Sequence, residues 1–241
     1  MREIVFDTET TGREAENGDR IVEIGCVELY NLSPTGRTLH FYCNPERDVS
    51  DEVVRVHGLT GMFLRDKPLF GDIADKILEF FEDAPLIAHN SEFDRRFLYA
   101  EFGRVGKAPP PMDRFVDTLQ IARKRFPGAS CSLDALAKRF QLDRYGFDLS
   151  ARKGPGGHGA LVDAKILAEV YLQLKGGREQ KLMFEAEAST SVLAEAVQQM
   201  VFARRDPRPD ALPSRLTAEE QEAHAAFVEG LGAEALWKKY G

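Results

Sequence analysis

Asp7 and Glu9 stand two residues apart at the end of a short apolar run, residues 3–6. In an extended strand such residues point to the same side, so both carboxylates converge on one spot. Alone, the pair reads as a solvated strand end. Three further features change that reading. Asn90 and Asp94 lie four apart where an apolar triplet, residues 86–88, runs into a helical stretch. That spacing places them near one helical face, at the carboxyl end of a strand, where ligand sites of open α/β sheets gather. Asp163 heads the stripe Leu167, Val170, Leu174, an acid on the apolar face of its helix. An unpaired charge facing a core is costly; a cation relieves it, and the alternative is an ion pair with Arg152 or Lys153. His158 precedes Asp163 by five residues. Five helical steps turn a side chain by roughly 140°, so His158 belongs to the glycine-bounded lead-in Gly154-Pro155-Gly156-Gly157 and not to the helix. An imidazole there has a pKa near neutrality and suits a general base.

Oxygen-only ligands select hard cations, Mg²⁺ or Mn²⁺ before zinc. Two such ions about 3.5–4 Å apart are the usual device for in-line phosphodiester cleavage, one activating water and one steadying the leaving oxygen. The chain has no GxxxxGK[ST] phosphate loop and no GxSxG elbow, which removes P-loop hydrolysis and serine chemistry.

These residues need a scaffold. Residues 3–6, 20–32 and 38–43 have strand character, the last after the turn signal Ser33-Pro34-Thr35-Gly36, and together predict an antiparallel meander. Helical periodicity follows at Ile73, Ile77, Phe80 and Phe81. A strand at 86–88, a helix over 93–102, a weak strand at 115–116 and helices over 118–126, 132–140 and 161–174 complete the pattern, which stops at Gly176-Gly177. Hairpin strands followed by βα units predict an α/β fold, a mixed five-stranded sheet flanked by helices in a ribonuclease H-like layout. Beyond residue 177 the chain turns to Glu, Gln, Ala and Ser; residues 205–213 carry three prolines and read as a linker. Thr217-Ala218-Glu219-Glu220 opens a last helix with a capping box. The expected organisation is a catalytic domain over 1–176, a linker over 177–213 and a flexible helical tail over 214–241.

With 241 residues, 43% of them hydrophobic, the chain can bury a full-sized core. A net charge of −7 weighs against holding duplex DNA by charge alone. Cys26, Cys43 and Cys131 form no CxxC pair and read as reduced thiols of a cytosolic protein. No apolar run reaches transmembrane length, and the N-terminal apolar stretch is too short for a signal peptide. A cytoplasmic protein with no membrane partner is expected.

Asp7-Thr8-Glu9-Thr10-Thr11-Gly12, His89-Asn90-Ser91-Glu92-Phe93-Asp94 and His158-Gly159-Ala160-Leu161-Val162-Asp163 resemble, in order, the three motifs of the DEDD exonuclease superfamily, in its histidine branch. Val56-His57-Gly58-Leu59-Thr60, Arg123-Lys124-Arg125-Phe126-Pro127-Gly128 and Ser132-Leu133-Asp134-Ala135-Leu136 narrow the likeness to the epsilon subunits of bacterial DNA polymerase III. The likeness covers residues 1–176 well and the tail more loosely. It implies a proofreading 3′→5′ exonuclease in which Asp7, Glu9 and Asp163 hold two Mg²⁺ or Mn²⁺ ions, Asp94 assists at the second, and His158 is the base. It further implies that Glu52 and His57 contact the terminal nucleotide, that Thr8, Thr10, Asn90 and Phe93 shape the pocket, and that the metal acids Asp7, Glu9 and Asp163 also meet the substrate. The implied partners are the DNA 3′ end, the catalytic alpha subunit, the sliding clamp and a small theta-like accessory subunit, at the replication fork on the bacterial nucleoid. Gln180, Met183 and Phe184 resemble a clamp-binding peptide, and Phe227, Leu231, Leu236 and Trp237 are the candidate anchors of a polymerase-binding tail. Two alternatives stand beside this reading: a freestanding DNA or RNA exonuclease of the same superfamily, and a non-catalytic adaptor. Residues 145–157 depart from the resemblance, being longer and richer in glycine than the family pattern, which leaves the resting position of His158 open.

Overall fold

The computed structural model describes residues 1–147, 149, 157–176 and 217–231. The chain divides into two compact units, Met1–Leu182 and Met183–Gly241.

In the first unit β1 (Arg2–Thr10), β2 (Ile21–Tyr30) and β3 (Ser33–Tyr42) form the antiparallel meander. Its hairpin turn is Asn31-Leu32, not the Ser33–Gly36 segment that the sequence suggests. Both turn residues have positive φ, 50° and 65°, the backbone that a tight two-residue hairpin requires. The Pro-Thr-Gly signal marks an irregularity inside β3. Its pairing jumps from Leu29–Pro34 to Val27–Thr38, and Gly36 takes φ 88° within the gap.

Helices α1 (Asp51–His57), α2 (Gly61–Leu64) and α3 (Phe70–Phe81) lead to β4 (Leu86–Ala88). Helix α4 (Ser91–Arg104) leads to β5 (Phe115–Asp117), which is followed by α5 (Thr118–Arg125), α6 (Leu133–Arg139) and α7 (Ala160–Leu174). Strand β4 pairs in parallel with β1, and β5 in parallel with β4. The result is the expected mixed five-stranded sheet, in the order β3-β2-β1-β4-β5.

Alternation along the strands gives the sheet two apolar faces. Ile4, Phe6, Ile24 and Cys26 pack with Ile73, Ile77 and Phe81 of α3 and with Phe97, Leu98 and Phe102 of α4. Val5, Val27, Leu29 and Ile87 pack with Ala164, Leu167, Ala168 and Tyr171 of α7. The far side of α7, through Ile166, Val170 and Leu174, is covered by Ala122 of α5 and by Leu136 and Ala137 of α6. All three cysteines are free and buried.

In the second unit α8 (Ala218–Gly230) begins at the expected capping box. Glu220 N–H donates to Thr217 Oγ1 at 3.3 Å, and Thr217 N–H donates to Glu220 Oε2 at 2.8 Å. Phe227 and Leu231 are exposed. Among the described residues no helix is long and apolar enough to cross a membrane.

Candidate active site

Strand β1 delivers its polar end by the alternation that builds the core. Asp7 and Glu9 share the side of Val5 and face the α7 layer, whereas Thr8 shares the side of Phe6 and faces α4. Thr8 Oγ1 donates to Asp94 Oδ1 at 2.7 Å. Asp94 is 3% exposed, and burial pushes its carboxyl up to about 7 against the pull of that hydrogen bond, with the charge of Asp117 adding to the rise.

Asp163, on the first turn of α7, is 4% exposed. Its Oδ2 lies 3.1 Å from His158 Nδ1. Glu9, His158 and Asp163 each bring one ligand atom within 4.8 Å of the others. His158 lies on the lead-in to α7, as its spacing predicts, two residues before the helix begins. Its backbone N–H donates to Val56 O at 3.4 Å. Arg152 and Lys153, the alternative partners of Asp163, lie outside the described residues.

The approach of α7 to Asp7 depends on a residue that the motif reading passes over. Gly25 is the cross-strand partner of Asp7. A Cβ at Gly25 would fall 2.2 Å from Leu161 N and 2.4 Å from Ala160 C, far inside any tolerated contact. The bare β2 backbone therefore lets the first turn of α7 seat directly on the sheet and brings Asp163 to the side of the β1 acids. Gly25→Ala should push that turn outward. We expect overpacking to cost about 1–3 kcal/mol of stability and nuclease activity to fall about 10²-fold through the displaced acid. Thermal melting beside a nuclease assay checks this; full activity in the Gly25→Ala variant would show that the close seating is unnecessary.

Beside the acids lies a cleft of ≈ 220 Å³ lined by Thr8, Glu9, Thr10, Glu52, His57 and Phe93, all singled out from the sequence, together with Val53 and Val56 of α1 and the loop residues Gly12 and Arg13. His57 is 4% exposed and accepts from Leu59 N–H at Nδ1, 3.0 Å. Burial lowers its pKa against the opposing pull of the Thr10 backbone, favouring a neutral ring. Asn90 does not share a helical face with Asp94. It caps α4 in the left-handed region, φ 65°, is exposed, and donates its backbone N–H to Asp117 Oδ1 at 3.0 Å. Asparagine tolerates that conformation better than most residues, and only Asp94 turns inward. Of the candidate partner-binding residues, Gln180, Met183, Phe184, Leu236 and Trp237 lie outside the described residues.

The donor set fits a divalent cation. Asp7 and Glu9 share one face at the carboxyl end of β1, the central strand, where Glu9 converges with Asp163, and a further carboxylate, Asp94, is so deeply enclosed that its charged form is disfavoured. A hard cation offsets both the crowding of like charges and the lost hydration.

Residues 4–171 match the protein family described as Exonuclease. The chain is 48% identical over 198 residues to the DNA polymerase III subunit epsilon of Rickettsia felis, covering 80% of this chain and 83% of that one. It is 37% identical over 245 residues to the DNA polymerase III subunit epsilon of Escherichia coli, covering 98% and 97%. Two solved structures share the fold at lower identity. One is the nuclease domain of 3′hExo, a DEDDh family member, bound to rAMP, with TM-score 0.59 at 18% identity over 73% of this chain and 92% of that one. The other is exonuclease X in complex with 5′ overhanging duplex DNA, with TM-score 0.53 at 24% identity over 71% and 89%.

Proposed function

Since the chain belongs to the exonuclease family and, within it, to the DNA polymerase III epsilon subunits, we propose that it removes nucleotides one at a time from DNA 3′ ends as the proofreading subunit of a replicative polymerase. The observation that carries this reading is the convergence of Glu9, Asp163 and His158 beside a cleft of ≈ 220 Å³. A cleft beside converging acids suits the terminal nucleotide of a strand.

Family members depend on divalent metal ions. Asp7, Glu9 and Asp163 would hold two ions here, Mg²⁺ or Mn²⁺, with Asp94 assisting at the second. When bound, such ions lower the pKa of the attacking water and stabilise the charge that builds at phosphorus. With its Nδ1–H given to Asp163 Oδ2, His158 keeps a lone pair on Nε2 and can take the proton of the water there; this tautomer is assigned from the hydrogen bond. Thr8 orients Asp94 through the 2.7 Å bond. Glu52 and His57 would hold the terminal nucleotide, while Thr10 and Phe93 would bound its pocket; Asn90, exposed at the N-cap of α4, is not among the residues that line the cleft. The metal acids and His158, five residues in all, are present, which favours an enzyme over a non-catalytic adaptor.

For the tail, we read Gln180, Met183 and Phe184 as the clamp-binding peptide. Phe227, Leu231, Leu236 and Trp237 are read as anchors for the polymerase catalytic subunit, since apolar side chains on a tethered helix commonly dock into a partner. A theta-like subunit is a further partner in this reading, and the site of action is the replication fork in the bacterial cytoplasm.

The test has two arms. The full chain with Mg²⁺ should release 5′-mononucleotides from linear single strands, degrade frayed ends before matched ones, and leave circular single strands intact. Internal fragments from circular DNA would overturn the exonuclease reading. The full chain should also co-purify with the replicative polymerase, and the double substitution Leu236→Ala with Trp237→Ala should weaken that association. Undiminished binding by the double variant would favour the freestanding-nuclease alternative or another docking element.

A further inference from the structure

Beyond β1 the chain makes a loop whose first residues complete the cleft wall, and this loop is built around one carboxylate. Asp19 accepts from Thr11 Oγ1 at 3.1 Å and from Glu14 N–H at 3.0 Å. Thr11 is tied to Arg20 in both directions, N–H to Arg20 O at 2.9 Å and Oγ1 from Arg20 N–H at 3.0 Å. A Cβ at Gly12 would lie 2.1 Å from Asp19 Oδ2, so only glycine lets the chain pass this closely over the carboxylate. Arg13 sits between these pinned residues and lines the cleft while remaining exposed.

The charges of the loop are otherwise committed. Asp19 pairs with Arg47 at 3.1 Å, Glu16 faces Arg96 at 3.8 Å, and Glu14 accepts from Asn17 Nδ2. With the described residues Arg13 makes no ion pair. It is also the one lysine or arginine in a lining that includes the acids Glu9 and Glu52. A loop pinned by these hydrogen bonds that presents a guanidinium at the rim of an acidic cleft suits an anionic ligand, and a planar fork of donors suits phosphate.

We propose that Arg13 binds a phosphate group of the nucleic acid at the cleft rim and so contributes to strand capture in a chain of net charge −7. This rests on the exonuclease reading above. The phosphate is either a backbone phosphate of the substrate strand or a phosphate on its 3′ terminus, and the two sources are separable.

The experiment compares the full chain with its Arg13→Met and Arg13→Lys variants. Binding of 5′-labelled single strands, with a 3′-hydroxyl or a 3′-phosphate, is followed by fluorescence anisotropy across salt concentrations in metal-free buffer, where no strand is consumed. Loss of one phosphate contact should flatten the slope of log affinity against log salt by about 0.7. It should also weaken binding about 5-fold at low salt, the upper end of what an exposed ion pair contributes, with Arg13→Lys keeping most of the slope. An effect on both strands assigns the backbone; an effect confined to the 3′-phosphate strand assigns the terminus. Equal slopes and affinities for Arg13→Met and the parent chain on both strands would overturn the proposal. Separately, the parent chain is given Mg²⁺ and the p-nitrophenyl ester of thymidine 5′-monophosphate. Failure to hydrolyse this one-nucleotide substrate would count against the exonuclease reading, whatever the binding data say of Arg13.

Discussion

Asp163→Ala should abolish nuclease activity, by about 10³-fold or more, and leave the fold intact. The substitution removes one of the carboxylates of the proposed metal site and the group that holds His158 Nδ1 at 3.1 Å. Both losses act on the same step, and metal-assisted charge stabilisation alone is worth several kcal/mol. Stability should move the other way in metal-free buffer. Asp163 is 4% exposed and converges with Glu9, so the shorter neutral side chain relieves repulsion in a place of low hydration. The parent chain should gain melting temperature on adding Mg²⁺, because a ligand of the native state alone stabilises it; the variant should gain little. Melting curves with and without Mg²⁺, beside degradation of a labelled single strand, check all three statements. Activity within a few-fold of the parent would show that Asp163 holds no catalytic metal.

The acids can be found in the sequence because each breaks a local rule. Asp163 heads an apolar stripe, and Asp7 and Glu9 end a buried strand. Violations of that kind collect at functional sites. The helices are legible for a related reason: the stripe through Ile73 and Ile77 of α3 faces one side of the sheet as its period implies, whereas the stripe read along α7 divides, Leu167 facing the other side of the sheet and Val170 and Leu174 turning to α5 and α6, because this helix is covered on both sides. Steric necessities are not legible. Nothing in the pattern of β2 distinguishes Gly25 from a weak strand residue, since its value lies in a helix that arrives much later in the chain. Gly12 reads as part of a motif, yet its constraint is the Asp19 carboxylate 2.1 Å from its missing Cβ. The hairpin turn falls earlier than the sequence suggests because Ser-Pro-Thr-Gly is the stronger local turn signal, while Asn31 and Leu32 are held at positive φ by the pairing of the strands on either side. Leucine rarely takes that backbone unaided. Local chemistry is readable where one residue contradicts its neighbours, and unreadable where two distant segments must touch.

His158→Ala should slow hydrolysis about 10²–10⁴-fold, the usual value of a general base, while sparing the fold and the binding of metal. The main chain around His158 is held without the imidazole, whose hydrogen bond to Asp163 Oδ2 is the contact that the substitution removes. The His158 backbone N–H is held by Val56 O at 3.4 Å, and Gly159 follows in extended conformation as the N-cap of α7. Asp163 N–H donates to Gly159 O at 2.9 Å, closing the first turn. None of these contacts uses the imidazole. Because an imidazole nitrogen lies within 4.8 Å of ligand atoms of Glu9 and Asp163, two roles need separating. As a base, His158 takes a proton from water and can be replaced without loss of the Mg²⁺-dependent rise in melting temperature, but the acidic limb of the pH–rate profile should disappear. As a metal ligand, its removal would erase that thermal rise and leave the profile's shape governed by the remaining groups. The two measurements on one variant therefore decide the role, and an unchanged pH–rate profile with reduced Mg²⁺ stabilisation would overturn the assignment of His158 as the base.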